Sequence, residues 1–313
     1  MSLPLPWSRR FDIDKKRELT LEETSDGVLT IVPGDMKRIE EEATIPITNN
    51  ATPDKIYYKI LKAYFDGYKI ITLVGNLTDE QMDFIDIIHK RVVGLEVTEQ
   101  KKDQIILTDL LRPEDVDLDK IISQMFSFIS VVTTDIISHI EQNKQPGDKI
   151  LDRDSVTTRN HNLAYRCCNM ALKDSMYLSK LKKTTSEILI ISRIIRYLDM
   201  LGTILVGGSY LINIEMTEGM KKYHYKIFEE DEKLNKTLEK YLKKWLQYLK
   251  SIKTALKEKD IEKATDLYLR RFEFRLEMKD RNGKSGEHLA NIIDFSEQLN
   301  RMSSLILRDF MMY

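Results

Sequence analysis

Cysteine is nearly absent. Only Cys167 and Cys168 occur in 313 residues, and as neighbours on a helix they would point about 100° apart. Neither a disulfide framework nor a zinc site follows from such a pair, and a reducing cytoplasm suits it. An excess of one charge is lacking too: Lys and Arg number 49 against 50 for Asp and Glu. No global field therefore draws the chain toward nucleic acid or an anionic membrane, and any such attraction must be local. Long hydrophobic runs are missing. The longest, Leu201 to Ile214, is interrupted by Gly202, Gly207 and Gly208 and falls short of the roughly 20 residues a membrane span needs. We expect a buried helix there, with Gly207 and Gly208 serving close helix packing. The first residues show no basic-then-apolar leader pattern. The expectation is a cytoplasmic protein that is not membrane-embedded.

The signatures of catalysis are also lacking. His89, His139, His224 and His288 have no ligand spacing, and His161, between Asn160 and Asn162, reads as an ordinary solvated side chain. There is no glycine-rich nucleotide loop, no nucleophile elbow, and no Glu-x-x-His pair in the helical region of the kind a di-metal carboxylate site uses. No enzyme is expected.

What is present is periodicity that changes along the chain. Up to about Asn50, alternating stretches at Glu18 to Glu22 and Val28 to Val32 flank Ser25-Asp26-Gly27, a hairpin signal because Asp-Gly tolerates the positive φ of a tight turn. From Pro53 the stripe Ile56, Ile60, Leu61, Tyr64, Phe65 reads as a helix ending at Gly67, followed by a strand from Tyr68 to Val74. Thr78 and Gln81 have capping-box spacing before a second stripe, and Leu95 to Thr98 and Gln104 to Leu110 read as strands around Lys101-Lys102-Asp103.

Beyond Pro113, which fits a first helical turn, strands disappear. Helices are expected at about 114–142, 148–179, 184–214, 218–257, 260–281 and 285–311. The first carries Ile121, Met125, Phe128, Val132, Ile136 and Ile140 on one face; the fourth carries the seam Leu234, Leu238, Tyr241, Trp245, Tyr248, Ile252. The nine lysines from Lys233 to Lys259 on that fourth helix read as a solvated face. The third and sixth helices carry related segments, Ile195-Arg196-Tyr197-Leu198-Asp199 and Asn300-Arg301-Met302-Ser303-Ser304, offset by 105 residues, which suggests a duplicated three-helix unit.

This arrangement resembles the PhoU family of phosphate-uptake regulators, whose fold is two tandem three-helix bundles. Each third helix of that family carries a Glu-Arg-Ile-small-Asp segment, matched here by Arg196 and Asp199 and by Arg301, with Ile195, Asn300 and Ser304 in acidic positions. The second helix carries carboxylates one turn apart, and here Asp152 and Asp154 lie in the corresponding region, two apart, with Thr158 four residues after Asp154. The resemblance implies divalent or iron clusters in some members; these replacements leave Asp152, Asp154 and Asp199 as the remaining candidate ligands, so no metal or other cofactor is expected.

Ser2-Leu3-Pro4, Trp7, Ile13 and Asp26-Gly27 with Leu29, Ile31 and Pro33 resemble the second half of the SpoVT/AbrB DNA-binding module that archaeal PhoU-like proteins carry. Because Ser2 is the second residue, the module is expected to be incomplete. The resemblance implies DNA contact through Arg9, Arg10, Lys15, Lys16 and Arg17, although residues 1–53 hold seven basic and ten acidic residues, a balance of −3.

The expected organisation is mainly α: residues 1–50 a partial β module, 51–112 an α/β connector, 113–214 and 215–313 two PhoU-like three-helix repeats. The expected function is regulation of phosphate uptake through protein contacts, with DNA binding as a further mode, a homodimeric state, and a phosphate transporter or sensor component as partner. The alternative is a helical scaffold or oligomerisation protein without DNA or metal binding.

Overall fold

The computed structural model describes residues 3–13, 18–23, 27, 29–33, 42–86, 88, 91–111, 115–142, 149–210, 232–274 and 286–312. It is mainly helical with small β sheets toward the N-terminus, and divides into two compact units.

The first unit comprises Met1–Val116 and Arg166–Ile188. It opens with a helix, α1 (Leu5–Arg10), inside residues 1–50, which were expected to form a partial β module. Pro6 sits in its first turn, where a missing amide hydrogen is no loss, and Trp7 meets Phe11 one turn on, with ring centroids 5.5 Å apart. The expected hairpin follows as β1 (Leu19–Glu23) and β2 (Leu29–Pro33), antiparallel with Leu21 opposite Ile31. Gly27 has the positive φ (81°) that motivated the assignment.

A four-stranded sheet follows, ordered β3-β4-β6-β5, from β3 (Glu42–Pro46), β4 (Ile70–Val74), β5 (Leu95–Lys101) and β6 (Gln104–Asp109). β3 is a strand the sequence reading did not mark. It runs parallel to β4 and is joined to it through α2 (Pro53–Asp66), a β-α-β crossover. β5 and β6 form the expected hairpin, with Lys101 opposite Gln104. Ile45, Ile71, Leu73, Leu95, Ile105 and Leu107 from the strands join Ile56, Ile60 and Tyr64 of α2 in one apolar core. α2 is delimited by its own chemistry: Thr52 Oγ1 accepts from the Lys55 amide, Pro53 takes the first turn, and Gly67 closes it in the left-handed region at φ 98°. The anticipated capping box forms at α3 (Asp79–Asp86). Thr78 N donates to Gln81 Oε1 (3.0 Å) and Gln81 N to Thr78 Oγ1 (3.3 Å).

The second unit comprises Asp117–Tyr165 and Leu189–Tyr313. α4 (Leu118–Glu141) begins at Leu118, not near Pro113, because Asp117 Oδ1 accepts the Lys120 amide at 3.0 Å and so sets the cap. Its buried face is Ile121, Met125, Phe126, Ile129, Val132, Ile136 and Ile140; Phe128, expected on that face, is half-buried. α4, and not Leu201 to Ile214, is the most apolar helix described. Its best 18-residue window has mean hydropathy 1.5, long and apolar enough to cross a membrane, yet it packs along α8 (Glu232–Glu258).

The helix expected at 148–179 is broken. α5 (Lys149–Lys173) stops before Asp174, whose Oδ1 accepts the Tyr177 amide and opens α6 (Ser175–Lys180). α7 spans Thr185–Tyr210, introduced by a second capping box between Thr184 and Glu187. Close helix packing is required at Gly202, where a Cβ would meet the Thr157 side chain at 3.1 Å. At Gly207 a Cβ would meet no described residue within 4 Å, and the side-chain surroundings of Gly208 lie outside the described residues.

Every member of the α8 seam, from Leu234 to Ile252, is buried. α9 (Ile261–Leu269) is shorter than the 22 residues implied by 260–281. It tightens into a 3-10 segment, Arg270–Phe274, and the rest of that stretch lies outside the described residues. α10 (Gly286–Met311) closes the unit against α8 and α9.

The lysines from Lys233 to Lys259 are exposed as expected, except Lys253, which is half-buried, and three of them also make contacts. Lys243 Nζ pairs with Glu141 at 2.6 Å, Lys253 Nζ donates to Ser127 Oγ (2.8 Å) and Ser123 O (3.1 Å), and Lys244 donates to Glu273 O (2.7 Å). Burial lowers the Lys253 pKa, with Lys257 adding to the effect.

Candidate functional site

Of the residues implicated in DNA contact, Arg9 and Arg10 are exposed in the last turn of α1, Arg10 with its guanidinium 5.4 Å from the Phe11 ring. They lie on a short helix, not on a β strand. Lys15, Lys16 and Arg17 lie outside the described residues. Asp152 and Asp154 are on α5, with side chains outside the description.

The remaining family-motif positions fall in two places within the second unit. The first is the α5–α7 contact beside Gly202. There Thr157 is buried, with no hydrogen-bond partner at Oγ1 among the described residues, and the half-buried Asp199 feels the charges of His161 and Arg196. Burial raises the Asp199 carboxyl above its ordinary range, and the electrostatic pull of His161 and Arg196 offsets only part of the effect. His161 is not simply solvated: its ring stacks on Tyr165, with centroids 5.7 Å apart.

Among the described side chains the donors here are one carboxylate, one imidazole and a hydroxyl, with Ile195 buried one turn before Asp199. Among the described residues no group of three or more His, Cys, Asp or Glu side chains is gathered.

A pH dependence follows. A carboxyl raised in the folded state adds stability below its unfolded value, and that contribution is lost as pH rises through the folded value. Asp199→Asn removes the charge, so the variant is expected to gain in thermal midpoint over the parent at neutral and alkaline pH, with the gap narrowing in acid. Thermal unfolding at several pH values measures this; a variant less stable at neutral pH would instead make the ionised carboxylate a net contributor through His161 and Arg196.

The second place is α10, where Arg301 stands on the exposed face and Asn300 is buried beside it, its Nδ2 donating to Arg271 O at 2.9 Å. Ser304 Oγ donates to Asn300 O (2.8 Å). One turn further, Asp309 is buried and accepts from Arg308 Nε (3.0 Å) and Tyr197 OH (3.1 Å), with Arg193 at 3.8 Å. This carboxylate joins α10 to α7, the two helices carrying the related segments.

The first unit holds a polar constellation that periodicity alone did not single out. Arg166, Asn169 and Lys173 stand three and four residues apart, one face of α5, and all three address the C-terminal end of α2. Arg166 donates to Tyr64 O (2.5 Å) and Gly67 O (3.3 Å), Asn169 to Phe65 O (3.4 Å), and Lys173 to Asp66 O (3.2 Å) and Oδ1 (3.0 Å). The guanidinium also pairs with buried Asp109 at 2.6 Å and lies 4.4 Å from the Tyr64 ring. Cations and donors thus meet the orphan carbonyls and negative end of a helix, a structural role. Beside them, burial pushes the Cys168 thiol up to about 12 and raises Cys167 as well, which keeps both thiols protonated and inert at neutral pH.

No family model, curated protein or solved structure matches the chain.

Proposed function

We propose that the protein is a PhoU-like, non-enzymatic regulator of phosphate uptake that acts from the cytoplasm through protein contacts. The observation that carries this reading is the repetition within the helical unit. α7 and α10 are each 26 residues long and carry the Arg196 and Arg301 segments, and each closes a series opened by a long helix with one buried apolar face, α4 of 24 residues and α8 of 27. First packs on first, α4 on α8, and third meets third through Tyr197 and Asp309. A phosphate transporter or sensor component is the partner this implies, and such a regulator needs no metal cluster.

Deleting the gene in its host is expected to change phosphate uptake, or transporter expression, during phosphate starvation. Unchanged uptake and expression would remove the phosphate assignment. A scaffold without DNA binding is the second reading, favoured by the acidic balance of residues 1–53. An electrophoretic shift with genomic fragments at low salt tests DNA contact, and indifference to DNA selects the scaffold over a transcriptional mode.

Dimerisation is part of the proposal, supported by the β1–β2 hairpin, on which Leu21 (62%) and Leu29 (50%) are exposed. A two-stranded hairpin is marginal by itself, and a second copy would cover those side chains. Light scattering that returned a monomer would remove this part.

A further inference from the structure

The second unit contains a surface cavity of about 290 Å³ between the Tyr268–Phe272 stretch and α10. Arg301, Ser304 and Arg308 line one wall, spaced so that two turns of helix present them on one face, and Arg271 lines the other. Three guanidinium groups around one small cavity repel one another and gather only where something offsets their charge.

Two of the three are held in place. Arg271 lies against the rings of Tyr268 and Phe272, 4.0 and 4.1 Å from their centroids, and donates one Nη1 bond to Tyr268 O at 2.8 Å. Arg308 is fixed by Nε and Nη2 on Asp309 at 3.0 and 2.9 Å, which leaves its other N–H groups uncommitted to that carboxylate. Arg301 has neither an ion pair nor a hydrogen bond to any described residue. Among the described residues, Asp309 is shared between Arg308 and the nearby Arg193, and Glu297 is the only acid that lines the cavity itself.

Beside these arginines lies Asn300, 7% exposed, whose Nδ2 donates to Arg271 O at 2.9 Å and so ties the two walls of the cavity together.

We propose that this cavity binds a small tetrahedral oxyanion of the phosphate class, gripped by Arg271, Arg301 and Arg308. The volume is at the small end for ligand sites, which fits a compact anion and excludes a large cofactor. Planar guanidinium forks match the oxygen edges of such an anion two at a time, and two of them are already oriented by aromatic stacking and by Asp309. The inference stands apart from the phosphate-uptake proposal: a chain that binds the anion here yet leaves uptake unaltered would keep the one and lose the other.

The test is isothermal titration calorimetry of the full chain with inorganic phosphate at low ionic strength, where screening is weakest. Saturable binding is expected below about 10 mM phosphate, with Arg301→Gln weakening it by about tenfold or more, the loss that follows from one charge-assisted contact. Arg301→Lys keeps the charge without the fork and is expected to fall between the two. Arg270→Gln is the control: Arg270 is exposed, pairs with Glu273 and lies outside the cavity lining, so its loss is expected to leave binding unchanged. Absence of saturable binding would overturn the proposal, as would equal weakening in Arg301→Gln and Arg270→Gln, which reduces the effect to general attraction.

Discussion

Arg166→Met is expected to destabilise the protein by about 3–5 kcal/mol, the range for removing one partner of a buried ion pair. The side chains of Arg166 and Asp109 are 5% and 2% exposed, so the carboxylate left behind cannot recover its hydration. Gly67 O loses the Arg166 donor at the same time, and Tyr64 O keeps only the Gly67 amide at 3.1 Å. Methionine keeps much of the apolar stem, so the loss isolates the polar contribution.

The sign of the pH dependence distinguishes this cause from simple loss of packing. Burial already holds the Asp109 carboxyl above its ordinary value, against the pull of Arg166 and the Leu111 amide, and without Arg166 it rises further. A raised carboxyl adds stability below its unfolded value and loses that contribution as pH rises through the folded value, so the variant's deficit should shrink in acid and widen above neutrality. Urea denaturation across pH reads this directly. Asp109→Asn in the Arg166→Met background is expected to recover a large part of the deficit at neutral pH; no recovery would place the loss in packing alone.

Local chemistry was legible in the sequence, and long-range pairing was not. Thr78 and Gln81 formed the box their spacing required, Gly67 took the positive φ that ends α2, and every residue of the Leu234 to Ile252 seam is buried. Such features are decided within four residues of chain. β3 escaped notice because its five residues end at Pro46 and pair with a strand 28 positions on, Glu42 with Ile70. The break at Asp174 hides in a continuous apolar period and shows only as a cap. Arg166, Asn169 and Lys173 do leave a trace, a three-and-four spacing of donors on one face, but nothing local names the α2 carbonyls they meet about 100 residues earlier. The arginine cavity divides the same way. Arg301 and Arg308 are seven apart and readable as one helix face, whereas Arg271 joins them only through the fold.

Trp245→Ala is expected to cost about 3–5 kcal/mol, the range for deleting a buried aromatic side chain and leaving its cavity. Trp245 is fully buried, the largest such side chain described. Its Nε1 donates to Ser303 Oγ at 3.1 Å, and that hydroxyl in turn donates to Leu299 O at 2.8 Å, so the indole anchors α10 from within. Tyr241, one turn before, reaches α10 in the same way, its hydroxyl donating to Ser296 O at 2.8 Å. Trp245→Phe keeps most of the apolar volume and removes the indole donor; a loss of about 1–3 kcal/mol is expected, the range for disrupting one buried hydrogen bond. A Trp7→Phe background leaves Trp245 as the sole tryptophan, so its fluorescence during urea denaturation reports the α8–α10 seam alone. If the seam positions the outer face of α10, Trp245→Phe, still folded, should retain the arginine cavity and its oxyanion affinity, whereas Trp245→Ala should weaken both. An unchanged urea midpoint in Trp245→Ala would mean that α10 is held chiefly by Asp309 and its arginines, and the seam would lose the role given to it.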